Sequence, residues 1–204
     1  MTKYKFFINY DKEEKWLEEM AKRGYQLKDT RFCYRFNTAP PENLTIKIDF
    51  RMFRRNEDFL EYCTLFEDSG WQHIAGTSNS GTQYFTKIKP YGDEDIFSDS
   101  SSRAGRYKRL ADMYLVMTIA YFVTVIAMFT LGQIQIDGFM NPREMYLTPG
   151  LWEMSGLDFW RSFLFETPFV LMRELSGVLM ISLFFLFIIG FIKSWKQYKL
   201  TCKD

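Results

Sequence analysis

Imidazole, thiol and paired carboxylates are the groups through which this 204-residue chain could do chemistry, and they are few and scattered. His73 is the single histidine. It sits two residues after Trp71 in an apolar run and reads as an ordinary strand residue. Cys33, Cys63 and Cys202 are odd in number and lack metal-ligand spacing. They read as two small core residues and one tail thiol, the last a candidate for palmitoylation. A nucleophile needs an adjacent base, and no Ser or Cys lies in such a motif. No phosphate-binding loop, dinucleotide glycine motif or zinc pattern occurs. The acidic pairs Glu13-Glu14, Glu18-Glu19 and Glu57-Asp58 read as helix surface. The first and last of these lie near a helix start, where negative charge is favoured. An enzyme is therefore not expected, and neither a cofactor nor a metal is implied.

The elements that position these groups occupy residues 1–92. Lys3–Tyr10 is β-prone and predicts a strand. Asp11 offers an N-cap with Glu14 three residues on, and the helix runs to about Arg23, its stripe Trp16, Leu17 and Met20. Gly24 ends it. Tyr25–Phe36 is strand-like with a break near Asp29, and the turn Ala39-Pro40-Pro41-Glu42-Asn43 cannot belong to a central strand. Leu44–Phe53 alternates, with Ile46, Ile48, Phe50 and Met52 on one face, which predicts a half-buried strand. Asn56 can cap a second helix to Ser69, ended by Gly70. Trp71–Thr77 and Thr82–Lys89 form a hairpin around Asn79-Ser80-Gly81. The two helix-glycine-aromatic units repeat 46 residues apart. The expected fold is α+β: a ferredoxin-like sandwich, βαββαβ plus an extra strand, with both helices on one sheet face.

In that arrangement Lys3, Lys5, Lys47, Arg51, Lys87 and Lys89 fall on the open sheet face, interleaved with Phe7, Phe53 and Phe85. Such a face is either solvated, with snorkelling lysines, or a surface for anions. Anions here mean inner-leaflet lipids or an acidic partner. Nucleic acid is disfavoured, because the aromatic-glycine signature of sheet-based RNA binders is missing.

Mean hydropathy is −0.21 and net charge +1, but both average unlike halves. Asp93–Ser102 is acidic and serine-rich and reads as a flexible linker. Arg103, Arg106, Lys108 and Arg109 follow, and then Met113–Leu131 runs for 19 residues without a charge. Leu175–Ile192 is a second uncharged run, followed by Lys193, Lys196 and Lys199. At ~1.5 Å per residue each run nearly crosses a ~30 Å bilayer core. The expected membrane module, 103–204, has helices at 110–132 and 175–193, a loop at 133–174 and a basic tail at 194–204. Basic residues flank the outer ends of both runs, whereas 133–174 carries six acids, three arginines and no lysine. This charge bias predicts a transmembrane hairpin with both termini cytoplasmic. The aromatic stretch 157–172 suits either an interfacial helix or a compact loop. No leading segment has the pattern of a cleavable signal peptide.

The Glu-rich lead into Trp16-Leu17, the run Met20-Ala21-Lys22-Arg23-Gly24-Tyr25, and Ser69-Gly70-Trp71 followed by Tyr84-Phe85 resemble the domain-of-unknown-function family 2812. The resemblance covers most of residues 5–90. Members look like cytosolic-facing domains followed by transmembrane helices, occur in Firmicutes and are often encoded near PadR-like regulators. The resemblance thus implies a regulated, membrane-associated role and supplies no catalytic residue or cofactor. The expected function is a non-enzymatic, membrane-anchored regulatory or sensory accessory protein. Its cytosolic domain would bind an unknown protein partner or the anionic inner leaflet, with a homodimer as a further possibility. The alternative is an accessory subunit of a membrane transport or peptide-resistance complex.

Overall fold

The computed structural model describes residues 1–88, 95–132 and 141–203. Lys89, the start of the expected linker and residues 133–140 lie outside the described residues. The chain divides into two compact units, Met1–Asp112 with Gly190–Asp204, and Met113–Ile189. The first unit therefore reaches past residue 92 and takes in the basic cluster expected in the membrane module.

The first unit is α+β. Its elements are β1 (Thr2–Lys3), α1 (Tyr10–Lys22), β2 (Tyr25–Asp29), β3 (Tyr34–Thr38), β4 (Ile46–Phe50), α2 (Asn56–Asp68), β5 (Trp71–Ala75) and β6 (Thr82–Lys87). The strands form two three-stranded antiparallel sheets, ordered β1-β3-β2 and β4-β6-β5. The arrangement differs from one ferredoxin-like sheet with an added strand. The chain instead folds twice as strand-helix-strand-strand, and each copy closes its own sheet with its last strand in the centre. The correspondence is close. Both helices have 13 residues, both end at a left-handed glycine, Gly24 (φ 83°) and Gly70 (φ 89°), and both sheets shift register at the same point, Leu27/Asp29 and His73/Ala75. The Pro40-Pro41 segment, which lacks the amides a ladder needs, lies where the chain passes from the first sheet to the second.

The helices do not share one sheet face. Tyr62 of α2 packs on Trp71 and Phe85. By register, Phe85 stands opposite Lys47 and Trp71 opposite Lys87. The face expected to be open and basic thus lies under α2. Helix α1 lies between the sheets: Trp16 rings meet Tyr34 and Phe36 of β3, and the Glu13 carboxylate accepts hydroxyls from Tyr34 (2.6 Å) and from Tyr84 of β6 (2.7 Å). The cap of α1 is Asn9, whose Oδ1 accepts the Lys12 amide at 2.9 Å, rather than Asp11. At α2 the cap position is Arg55, with no side-chain cap bond, rather than Asn56.

Two long helices follow, α3 (Ser100–Thr130) and α4 (Gly156–Thr201). Both are long and apolar enough to cross a membrane. Helix α3 already begins within the expected linker. Helix α4 merges the stretch 157–172 and the second apolar run into one 46-residue helix with Pro168 inside it. At ~1.5 Å per residue it is about twice the thickness of a bilayer core. Within the second unit, α3 meets α4 through aromatic pairs, Tyr121 with Phe187 at 5.0 Å and Phe122 with Phe184 at 5.8 Å. The segment before α4 folds onto its early turns: Glu166 accepts the amides of Leu147 and Thr148, Tyr146 meets Thr167 (3.1 Å), and Arg173 donates to the Met145 carbonyl.

Candidate functional site

Strand β4 is an edge of its sheet, so its outward amides and carbonyls at alternate residues lack a neighbouring strand. Side chains from two helices take that place. Glu18 and Glu14 of α1, one helical turn apart, accept the amides of Ile46 (3.2 Å) and Ile48 (3.1 Å). Arg106 and Arg109 of α3, also one turn apart, donate to the carbonyls of Ile48 (2.7 Å) and Phe50. The i,i+4 and i,i+3 spacings of helices thus read the two-residue repeat of a strand.

Arg106 is 0% exposed. Its two terminal nitrogens reach Glu14 (2.6 Å) and Asp11 (2.7 Å), and its plane lies among the rings of Tyr10, Phe97 and Tyr107. Arg109 pairs with the buried Asp49, which also accepts the Tyr62 hydroxyl at 2.8 Å. Tyr107 accepts the Tyr10 amide (3.0 Å) and donates to Asp11 (3.1 Å). Arg103 pairs with Asp95 at 2.6 Å, and Lys47 lies 3.8 Å from both Glu14 and Asp95. The cluster is close to neutral, which is the condition for burying so many ions. Burial pushes the Glu14 carboxyl above its ordinary pKa, against the pull of Arg106. Desolvation works against the charge on Arg106, but Glu14 and Asp11 outweigh it and its pKa rises. Glu13 is raised by burial, opposed by the hydroxyls of Tyr34 and Tyr84. A polar cavity of about 500 Å³ adjoins the cluster, lined by Asp11, Glu14, Lys47, Asp95 and Arg103 among others.

These positions change the reading of several residues. Arg106 and Arg109, expected as membrane-flanking bases, are bound within the first unit. Arg103 is paired, Lys108 is exposed, and Lys193, Lys196 and Lys199 are exposed on α4, Lys199 over Trp195. Glu13 and Glu14, expected on a helix surface, are buried; Glu57 and Asp58 are on the surface, paired with Arg55. Of the six bases expected on one face, the five among the described residues are dispersed. Lys3 is exposed on β1, Lys5 lies over Phe7 and Trp16, Lys47 is in the ion cluster, Arg51 rests on Phe53 and Tyr62, and Lys87 is half-buried at the end of β6. His73 bonds Gln83 at 3.0 Å, and burial lowers its pKa. Among the described residues no three His, Cys, Asp or Glu side chains are grouped to hold a metal ion.

One sequence signal did mark the docked part of α3. Ala104, Tyr107 and Ala111, with Leu110, recur at helical spacing ahead of the apolar run, and all four are buried.

No curated protein and no solved structure matches the chain. Residues 9–119 match a family described as Protein of unknown function (DUF2812), a span that encloses both the α1 carboxylates and the α3 arginines. Because that span is more than half of the chain, the protein belongs to the DUF2812 family.

Proposed function

We propose that this chain is a non-enzymatic, membrane-anchored regulatory or sensory accessory protein. In this reading the two apolar helices form a transmembrane hairpin with both termini cytoplasmic, and the first unit binds a protein partner or the anionic inner leaflet. The observation that carries the reading is Arg106. It is fully buried against Asp11, Glu14 and the Ile48 carbonyl, yet it belongs to the helix whose sequence continues into the first apolar run. A domain held only as a tethered cargo needs no such lock. A lock on the membrane-crossing helix supports a role in which binding at the first unit is coupled to that helix. The test is affinity purification of the tagged full-length chain and its Arg106→Gln variant from native membranes. A partner retained by the parent protein and lost or altered with the variant is the expected outcome. Identical sets of co-purifying species, or none in either, would remove the basis of the reading.

The alternative, an accessory subunit of a transport or peptide-resistance complex, draws on the outward side chains of the long helices. Val116, Val123, Phe185 and Ile189 are all exposed in the isolated chain. A stoichiometric membrane partner in mild detergent supports it; a lone monomer or homodimer argues against it.

A further inference from the structure

Five aromatic rings of the second unit line one cavity. The segment ahead of α4 makes two short 3-10 turns, Pro142–Met145 and Leu151–Glu153, and supplies Tyr146 and Trp152. The opening turns of α4 supply Phe159, Trp160 and Phe163, an i, i+1, i+4 set. With Arg143 these residues surround a space of about 370 Å³. Tyr146, Phe163 and Phe159 lie nearly parallel, 18° apart at each step, with centroids 5.2 and 5.5 Å apart. The indoles stand across them, Trp152 at 84° to Tyr146 and Trp160 at 90° to Phe163. The frame is tied down. Trp152 Nε1 donates to the Arg143 carbonyl at 3.2 Å, Tyr146 meets Thr167, and Glu166 accepts the amides of Leu147 and Thr148. Leu151, next to Trp152, is buried.

Hydrophobic association alone would close such rings on one another. Here Trp152 stays 42% and Trp160 56% exposed beside an open space. Ring faces carry negative potential, and several rings around one space attract a cation, above all a weakly hydrated quaternary ammonium. The lining offers rings rather than carboxylates, so a primary ammonium, whose three N–H groups need acceptors, is disfavoured against a methylated one. A cation already uses one wall: the Arg143 guanidinium lies 5.5 Å from the Trp152 ring centre. Residues 141–166 carry four acids, two arginines and no lysine, so the surrounding charge favours a cation over an anion. An aromatic belt at a bilayer surface accounts for abundant Trp and Tyr, but not for rings that gather around one cavity.

We propose that Tyr146, Trp152, Phe159, Trp160 and Phe163 form a binding site for a quaternary ammonium group. Arg143 is its resident cation, which an arriving ligand displaces from Trp152. All six residues belong to the second unit, so the inference stands apart from the coupling proposed for Arg106. The test is calorimetric titration of the full chain with tetramethylammonium and with choline, in a maltoside detergent that carries no ammonium group. Saturable binding of both is expected, at least about tenfold tighter than that of methylammonium or of the uncharged tert-butyl analogue of choline. Trp160→Leu, at an exposed ring, should weaken binding about tenfold. Phe165→Leu, at an exposed ring outside the cavity, should leave it unchanged. Arg143→Ala should tighten it several-fold, a direction that a merely structural cluster does not produce. The same titration in nanodiscs identifies the source. Loss of choline binding in phosphatidylcholine discs but not in phosphatidylglycerol discs assigns the site to a lipid headgroup, and binding retained in both assigns it to a soluble cation. Absence of saturable binding by the parent chain overturns the proposal. So does equal binding of the uncharged analogue, or an unaltered affinity in a Trp160→Leu chain that melts like the parent.

Discussion

Arg106 illustrates how asymmetric a buried ion is. Removing the guanidinium leaves Glu14 and Asp11 without their cation and the Ile48 carbonyl without a donor. Arg106→Met is therefore expected to destabilise the first unit by ~3–5 kcal/mol, seen as a Tm lower by roughly 10 °C or more in a thermal melt of the full chain. Arg106→Met combined with Glu14→Leu should recover part of that loss, because no unpaired charge then remains at Glu14; a fully additive double variant would mean that the two side chains act independently. Glu13 is a different case. Its pKa is raised by burial, so the folded state holds the proton more tightly than the unfolded one. Its contribution is complete below the ordinary carboxyl pKa and is lost as pH rises through the raised value. Glu13→Gln keeps an oxygen for the Tyr34 and Tyr84 hydroxyls and removes the titration. The variant should therefore gain in Tm relative to the parent as pH is raised from 5 to 8, and an unchanged difference across that range would contradict the assignment.

At the scale of elements, the local rules carried far. Helices α1 and α2, the alternating strand at 46–50, the closing hairpin and the two apolar helices follow from periodicity and glycine stops, because those signals lie within a few residues of what they shape, whereas the cap residues were misassigned at both α1 and α2. The 46-residue spacing of the helix-glycine units also marked a true duplication. Sheet assignment was not legible. Whether β3 pairs with β1 or with a later strand depends on contacts that leave no local trace, and a single sheet satisfies the same alternation. The ion cluster was hidden for a related reason. A basic group ahead of an apolar run has one familiar meaning, the inner flank of a membrane span, and nothing near Arg106 in sequence reveals partners more than 90 residues away. The paired glutamates were hidden by their neighbours: in a helix with four glutamates, those facing β4 differ from those facing solvent only by phase. The duplication itself yields a test. A side chain at Gly24 would need φ near 83° and would place Cβ 2.8 Å from the Ala39 carbonyl oxygen. Gly24→Ala should thus cost about 1–3 kcal/mol, measurable as a lower Tm of the full chain, with no comparable loss from Lys22→Ala on the exposed side of the same turn.

For the whole molecule the first question is orientation. In a cysteine-free background, single cysteines at Ser100 and Thr148 should react from opposite sides of sealed vesicles, Thr148 from the outside and Ser100 from the cytoplasmic side. The reverse pattern would discard the proposed topology. A second matter follows from the makeup of the first unit. It draws on the start of α3 and the end of α4: the Asn9 side-chain amide donates to Gln197 at 3.1 Å, and Ser194 and Thr201 of α4 are buried in it. Residues 190–201 leave the ribosome only after both apolar runs. The unit cannot be complete while either run is still being made, however early its two sheets emerge. Biosynthesis thus has a built-in order, in which the last helix turns close a domain that began folding at the start. Under the proposed membrane anchoring, a chain that stalls, or whose second run is misplaced, would present an unfinished domain to the cell's proteases, so that maturation of the first unit would report on insertion of the apolar helices.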